Sequence, residues 1–439
     1  MIHRREFVAG LAASSAAWKA VPAWAAERAS GQLSSQLDAY FDPFVKARDF
    51  SGIVLIERGG ERLLRSWGRA DFRRAAPHTV HTRYAAESIS KMFTHAAVLA
   101  LQTAGKLDMS DPLAKYIPSF PRAGEITIRE LADHRAGISR DLPFVGADAA
   151  KRRTTAELVR LIAKTENALP GKESSYSNNG YRILARVIEL AGGGPFDDLV
   201  RELAFEPRLM RDTAFGGSPG QPMRDRATGY IPAPGWGTIR KSPPWDFSNS
   251  RGAASWFTSP SDLMLFLRTL PLEPADVDDA PGSKGDTHFL KRVGHDGFGN
   301  GFANLAYSYP GEDTRLVLMG NIQSGLFMSL QKDMRALLAG EAASPPVVAK
   351  TPELGPSKRW SQFVGSYELR PGAPMTIRRS GDHLEVSAGE DFHPLICVAP
   401  GRFFMRLRYA RLSFPPAPAP VDAVHWEEGG GGFTLKKLA

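Results

Sequence analysis

Two hairpin patterns lie far apart in this 439-residue chain, and together they limit the folds open to it. Near the N-terminus, Gly52 to Glu57 and Leu63 to Trp67 flank Arg58-Gly59-Gly60-Glu61, a glycine turn between two strands. Late in the chain, Gly301 to Tyr309 and Thr314 to Asn321 flank a turn at Pro310-Gly311. The intervening sequence reads mainly as helices. They run from Glu87 to Thr103 (ended by Gly105), from Ile126, from Thr155 to Lys164, and from Gly180 to Ala191 (stopped by Gly192-Gly193-Gly194). Ser259-Pro260-Ser261-Asp262 caps another through Leu270, and Thr213 to Ala254 is rich in Gly, Pro and Trp and reads as long loops. An amphipathic stretch from Leu33 to Lys46 precedes the first hairpin, and a helix from Leu326 to Leu338 follows the second. Helices enclosed between two distant hairpins imply an α+β fold. One antiparallel sheet would be assembled from both chain ends and flanked by helices.

The ends of the chain differ in texture from this body. Arg4-Arg5-Glu6-Phe7 precedes a mildly apolar run and then Ala23-Trp24-Ala25, small residues of the kind a signal peptidase reads. That pattern predicts a twin-arginine-type signal over residues 1–25 and an exported, periplasmic protein without a stable membrane span. Pro345-Pro346 and Pro352 mark a linker over 342–358. Short alternating runs such as His383-Leu384-Glu385-Val386 then recur over 359–439, the pattern of a small all-β, barrel-like domain. A net charge of +8 suits either a solvated surface or attraction to an anionic cell-wall polymer or membrane surface. The basic residues are scattered and belong to no nucleic-acid-binding motif, so no nucleic-acid partner is expected. The lone Cys397 excludes an intramolecular disulfide, and its apolar neighbours place it in a core. His78 and His81, the closest histidine pair, have no carboxylate or cysteine at zinc-site spacing, so neither a metal nor a cofactor is expected.

Three short motifs carry chemistry. In Ser88-Ile89-Ser90-Lys91, the serine and lysine share one face of a helix, where an unprotonated amine can take a hydroxyl proton. The same spacing recurs at Ser329-Leu330-Gln331-Lys332, which reads as ordinary surface. Tyr176-Ser177-Asn178 follows Pro170-Gly171 at a helix entrance. Its tyrosine can relay protons and its asparagine can hold a substrate amide, although for the motif taken alone an Asn cap beside a packed Tyr is the better reading. His295-Asp296-Gly297 lies on or beside a strand, where the imidazole can donate a hydrogen bond and the glycine would let a substrate approach the backbone.

In this order and context the motifs resemble the serine hydrolases of the class C β-lactamase and D-alanyl-D-alanine carboxypeptidase family. The resemblance spans about Leu33 to Leu338 and includes Gly105-Lys106-Leu107, Asp111-Pro112, Ile126 to Leu131, Ala227-Thr228-Gly229-Tyr230 and Gly294-His295-Asp296-Gly297. It implies a β-lactamase/transpeptidase-like domain over 30–341. Ser88 would be the acylated nucleophile, and Lys91 and Tyr176 would share base and acid work. Asn178, His295 and Gly297 would contact substrate, and the backbone N–H groups of Ser88 and Phe298 would hold the oxyanion. Residues 359–439, with Phe363-Val364-Gly365-Ser366-Tyr367, resemble the lipocalin-like appendages of some members.

Three departures shape the expected activity. Dedicated β-lactamases carry lysine where this chain has His295. Members with histidine there resemble D,D-peptidases, D-aminopeptidases and esterases. The stretch from Leu270 to His295 is short and lacks an aromatic-glycine strand, which would either open the site or remove a wall that selects substrates. Asp296, where Thr or Ser is usual, would disfavour acidic substrates. The expectation is a serine hydrolase acting through a Ser88 acyl-enzyme on small esters or D-amino-acid amides and peptides, peptidoglycan fragments among them. A non-catalytic binder of cell-wall peptide and a weak β-lactamase are the alternatives.

Overall fold

The computed structural model describes residues 23–165, 175–270, 278–279, 291–343, 345–346, 354–370, 373–387, 392–429 and 431–438. Most of the expected signal segment, Pro170-Gly171, most of the short stretch before His295 and much of the expected linker lie outside them.

The main sheet contains β1 (Gly52–Arg58), β2 (Glu61–Trp67), β3 (Lys291–Gly299), β4 (Phe302–Tyr309) and β5 (Thr314–Gly320). Its order is β2-β1-β5-β4-β3, with the two-residue strand Asp278–Asp279 beyond β3, and every pairing is antiparallel. The two hairpins thus meet through β1 and β5, with Ile53 opposite Met319 and Leu55 opposite Val317. These inner strands are covered on both faces. That is why Ile53-Val54-Leu55-Ile56 and Leu316-Val317-Leu318-Met319 read as unbroken apolar runs.

On one face, Val54, Ile56, Leu316 and Leu318 pack against Leu37, Phe41 and Phe44 of α1 (Ala23–Lys46) and Leu330 and Met334 of the C-terminal helix Phe327–Ala339. Helix α1 begins at Ala23 rather than Leu33, because the alanine-rich stretch before the amphipathic part also favours helix. On the other face, Ile53, Leu55, Val317 and Met319 meet the helical lobe. Its central elements are α2 (Ser90–Thr103), α3 (Asn178–Gly192) and α4 (Pro260–Arg268). The region from Thr213 to Ala254 is mostly irregular, but Tyr230–Pro232 and Ile239–Lys241 pair as a small hairpin within it.

The C-terminal region is an eight-stranded antiparallel meander, Gly365–Arg370 to Gly431–Lys436, whose ends approach through the Tyr367–Lys437 bridge. Trp360, Phe363, Tyr367, Phe403 and Leu412 fill it. Its anchor to the rest of the chain is Arg406, 2% exposed. Its Nε donates to Asp49 Oδ1 at 2.8 Å, and its Nη atoms donate to the carbonyls of Ala47, Arg48, Gly235 and Thr238. Tyr409 Oη donates to the other Asp49 oxygen at 2.8 Å, and Trp236 stacks on Phe404. Among the described residues, no helix is long and apolar enough to cross a membrane.

Candidate active site

Ser88 occupies a single 3₁₀ turn, Glu87–Ile89, that runs directly into α2. Glu87, buried just before it, adopts φ +52°, a left-handed conformation that bends the chain sharply at the serine. Two contacts hold this bend. Asn304 Nδ2 on β4 donates to Ala85 O at 2.9 Å, and Asn300 Nδ2 donates to Glu87 Oε1 at 3.1 Å. Strand β3 lies on the same turn so tightly that a Cβ on Gly297 would collide with Ala86 O. The close packing of the chain on itself therefore requires a glycine at 297, whatever substrate contact the strand also makes. It also sets the backbone at Phe298 beside the serine turn.

Lys91, one helical turn after Ser88, points into the protein and is 1% exposed. Its Nζ lies 3.0 Å from Ser88 Oγ, 2.8 Å from Asn178 Oδ1 and 3.1 Å from Ala253 O. Burial is the main cause of its lowered pKa, about 7, with the positive charge of Arg182 next; Asp141 and Glu87 oppose the shift. The Ala253 carbonyl reaches the amine because Gly252, at φ +83°, presses against the Tyr181 carbonyl, where a side chain would clash.

Tyr176 Oη donates to Ser88 Oγ at 2.7 Å, and Lys91 Nζ lies 4.8 Å from the centre of the same tyrosine ring. Burial pushes its phenol up to about 12, with the hydrogen bond to Ser88 opposing. Its ring packs on His134 at 4.5 Å and lies 5.1 Å from the Arg140 guanidinium carbon. Burial and then the Lys91 charge push His134 down to about 4. Asn178 is the first residue of α3, and the cap is Ser177, whose Oγ accepts from Gly180 N at 2.9 Å. The asparagine side chain is therefore available for the site. Its Oδ1 faces Lys91, and its Nδ2 donates to Asp141 Oδ2 at 2.6 Å.

His295 is on β3, opposite Ala306, with its ring 6.3 Å from that of Tyr176 and Nδ1 2.5 Å from Asp296 O. The structure therefore gathers Ser88, Lys91, Tyr176 and Asn178 into direct contact and sets His295 at their edge. The second serine–lysine spacing behaves differently. Ser329 Oγ bonds Leu326 O within its own helix, and Lys332 is exposed.

Several participants carry no motif. Asp141 accepts from both Asn178 and Arg182, and buried Arg182 also bonds Asn179 Oδ1 and Asn249 O. Glu87 and the Ala253 carbonyl likewise belong to the site only through the fold, whereas His134 lies in the family-like stretch that begins at Ile126. No group of His, Cys, Asp and Glu among the described residues is arranged to hold a metal ion. His78 instead bonds Ser51 at 2.9 Å and Tyr84 at 2.5 Å, and His81 pairs with Asp212 at 2.7 Å.

A family model described as Beta-lactamase matches residues 37–341. The D-aminopeptidase of Cereibacter sphaeroides is 28% identical over 394 residues, covering 82% of this chain and 73% of its own length. Penicillin-binding protein 4* of Bacillus subtilis is 29% identical over 183 residues, which cover 40% of each chain, so that match spans less than half of the relative. The D-amino acid amidase of Ochrobactrum anthropi SV3, solved with D-phenylalanine, superposes with a TM-score of 0.59 at 22% identity. That superposition covers 70% of this chain and 98% of the amidase and speaks to the fold alone.

Proposed function

The chain belongs to the beta-lactamase family of serine hydrolases, and we propose that it cleaves small D-amino-acid amides, D-peptides or short esters through an acyl-enzyme at Ser88. The observation that supports this most is the contact of one hydroxyl, Ser88 Oγ, with two titratable groups of opposite disposition, at 3.0 Å from Lys91 and 2.7 Å from Tyr176. With a pKa of about 7, a large share of Lys91 is neutral near neutral pH and can accept a proton. With a phenol at about 12, only on the order of one Tyr176 in 10⁵ is phenolate there. Lysine is therefore the base for acylation, and tyrosine remains a proton donor.

In this reading Ser88 Oγ attacks the carbonyl carbon as its proton passes to Lys91 Nζ. The resulting oxyanion is held by the N–H groups of Ser88 and Phe298. As the tetrahedral species collapses, the amine or alcohol leaves with the proton that Tyr176 hands on, and Lys91 restores the phenol. Water then cleaves the ester by the same route in reverse. Asn178 keeps Lys91 aimed at the hydroxyl and offers its remaining amide hydrogen to substrate, with His295 and Gly297 on the facing strand. The D-aminopeptidase similarity and His295 in the lysine position of β-lactamases favour amides over β-lactams. We also place the protein outside the cytoplasm through the twin-arginine-type segment at residues 1–25, where peptidoglycan fragments supply D-configured substrates.

The purified enzyme should hydrolyse D-phenylalaninamide, a D-alanine anilide or p-nitrophenyl butyrate at least ~10-fold faster in kcat/KM than nitrocefin, a gap of about 1.4 kcal/mol in transition-state binding. A preference for nitrocefin would instead identify a β-lactamase. Cosedimentation with peptidoglycan without turnover of any of these compounds would identify a binding protein.

A further inference from the structure

Beyond the turn that follows β3 lies a cavity of about 730 Å³, a volume that suits a small organic ligand. Four cations line it, Arg74, Arg224, Arg226 and Lys241, and no acidic residue does. Two of the four are neutralised from outside the lining. Arg74 pairs with Asp71 at 3.0 Å and Arg224 with Asp225 at 3.5 Å.

Arg226 differs from these. Its guanidinium carbon lies 4.2 Å from the centre of the Phe257 ring and 5.9 Å from that of Phe247. Burial alone lowers its pKa, and among the described residues no carboxylate answers its charge. Contact with a ring face answers the guanidinium charge in part without satisfying its N–H groups, which leaves them for a planar anion. Lys241, at the end of the short hairpin, adds a second cation to the lining. The rest of the wall is largely apolar, with Phe247, Trp245 and Met223.

We propose that this cavity binds a small organic carboxylate with an apolar or aromatic body, anchored by Arg226. The carboxylate would pair with the stacked guanidinium while its body lies on the aromatic wall. Asn300, the residue bonded to Glu87 beside the nucleophile, forms one edge of the same cavity. A seated ligand would therefore adjoin the turn that leads away from the Phe298 amide. The inference goes beyond the hydrolase reading and does not depend on it, because it concerns binding without turnover.

Naphthalene-2-carboxylate and the uncharged naphthalene-2-carboxamide are the probes, titrated calorimetrically into the full-length protein. The carboxylate should bind at least ~10-fold more tightly than the amide, as expected for a charge-assisted pair. Arg226→Gln should erase that preference. Lys241→Gln, a change at an exposed position, should weaken carboxylate binding several-fold even if the arginine variant does not fold. Ser88→Ala should bind both probes as the unaltered protein does. Equal affinity for acid and amide would overturn the proposal, as would a preference that survives both cation substitutions. Loss of binding in Ser88→Ala would also overturn it, by placing the probe in the catalytic cleft.

Discussion

A Lys91→Met protein should fold normally and lose roughly 10³- to 10⁴-fold in kcat/KM, the upper range for removal of a general base. Methionine fills the same buried channel without a proton acceptor. The amine touches Ser88 Oγ, Asn178 Oδ1 and Ala253 O, and a thioether makes none of these contacts as a base or donor. The unaltered enzyme should show the matching pH dependence. Protonated Lys91 cannot accept the serine proton, so kcat/KM should climb as pH rises through about 7, where burial and the Arg182 charge set its pKa. The phenol of Tyr176, pushed up to about 12, should contribute no inflection in that region. A pH–rate profile from about 5 to 9 on both proteins is the check. A flat profile, or a methionine variant within ten-fold of the original, would remove lysine from the role of base.

Arg406→Met should destabilise the protein by about 3–5 kcal/mol, because it leaves the Asp49 carboxylate unpaired in a site with 0% exposure. The same change strips donors from four backbone carbonyls, of Ala47, Arg48, Gly235 and Thr238. Removing both charges, as Asp49→Leu with Arg406→Met, should recover part of the loss, since an apolar pair can replace a buried ion pair at little cost. Urea unfolding of the three proteins measures this directly. A loss below about 1 kcal/mol in the single variant would mean that Arg406 does not bear the contact between the C-terminal barrel and the rest of the chain.

The parts of the fold that could be read from sequence were those with local physical signatures. Strands β1 and β5 are covered on both faces, so their apolar runs are continuous, and the β1–β2 turn uses Gly59 and Gly60, both at positive φ. The serine–lysine pair was legible because a helix brings positions three apart together. The contact of Lys91 with Asn178 was not, since it joins α2 to α3 across 87 residues of chain. Resemblance alone linked those two motifs. Asp141, Arg182 and Glu87 left no pattern, because each enters the site through a long-range contact or an unusual backbone angle. The steric demand of Ala86 on Gly297 was hidden too, because it exists only once β3 is docked on the serine turn. Arg406 likewise reads as one more basic residue until the barrel is set against Asp49.

The central claim is that Ser88 becomes covalently acylated. Intact-mass analysis after exposure to a fluorophosphonate, with peptide mapping and hydrolysis of p-nitrophenyl butyrate measured in parallel, tests it most directly. One adduct on Ser88 is expected, with loss of turnover in proportion to labelling and neither adduct nor turnover in Ser88→Ala. A Ser88→Ala protein that is labelled and turns over the ester as well as the original would contradict it.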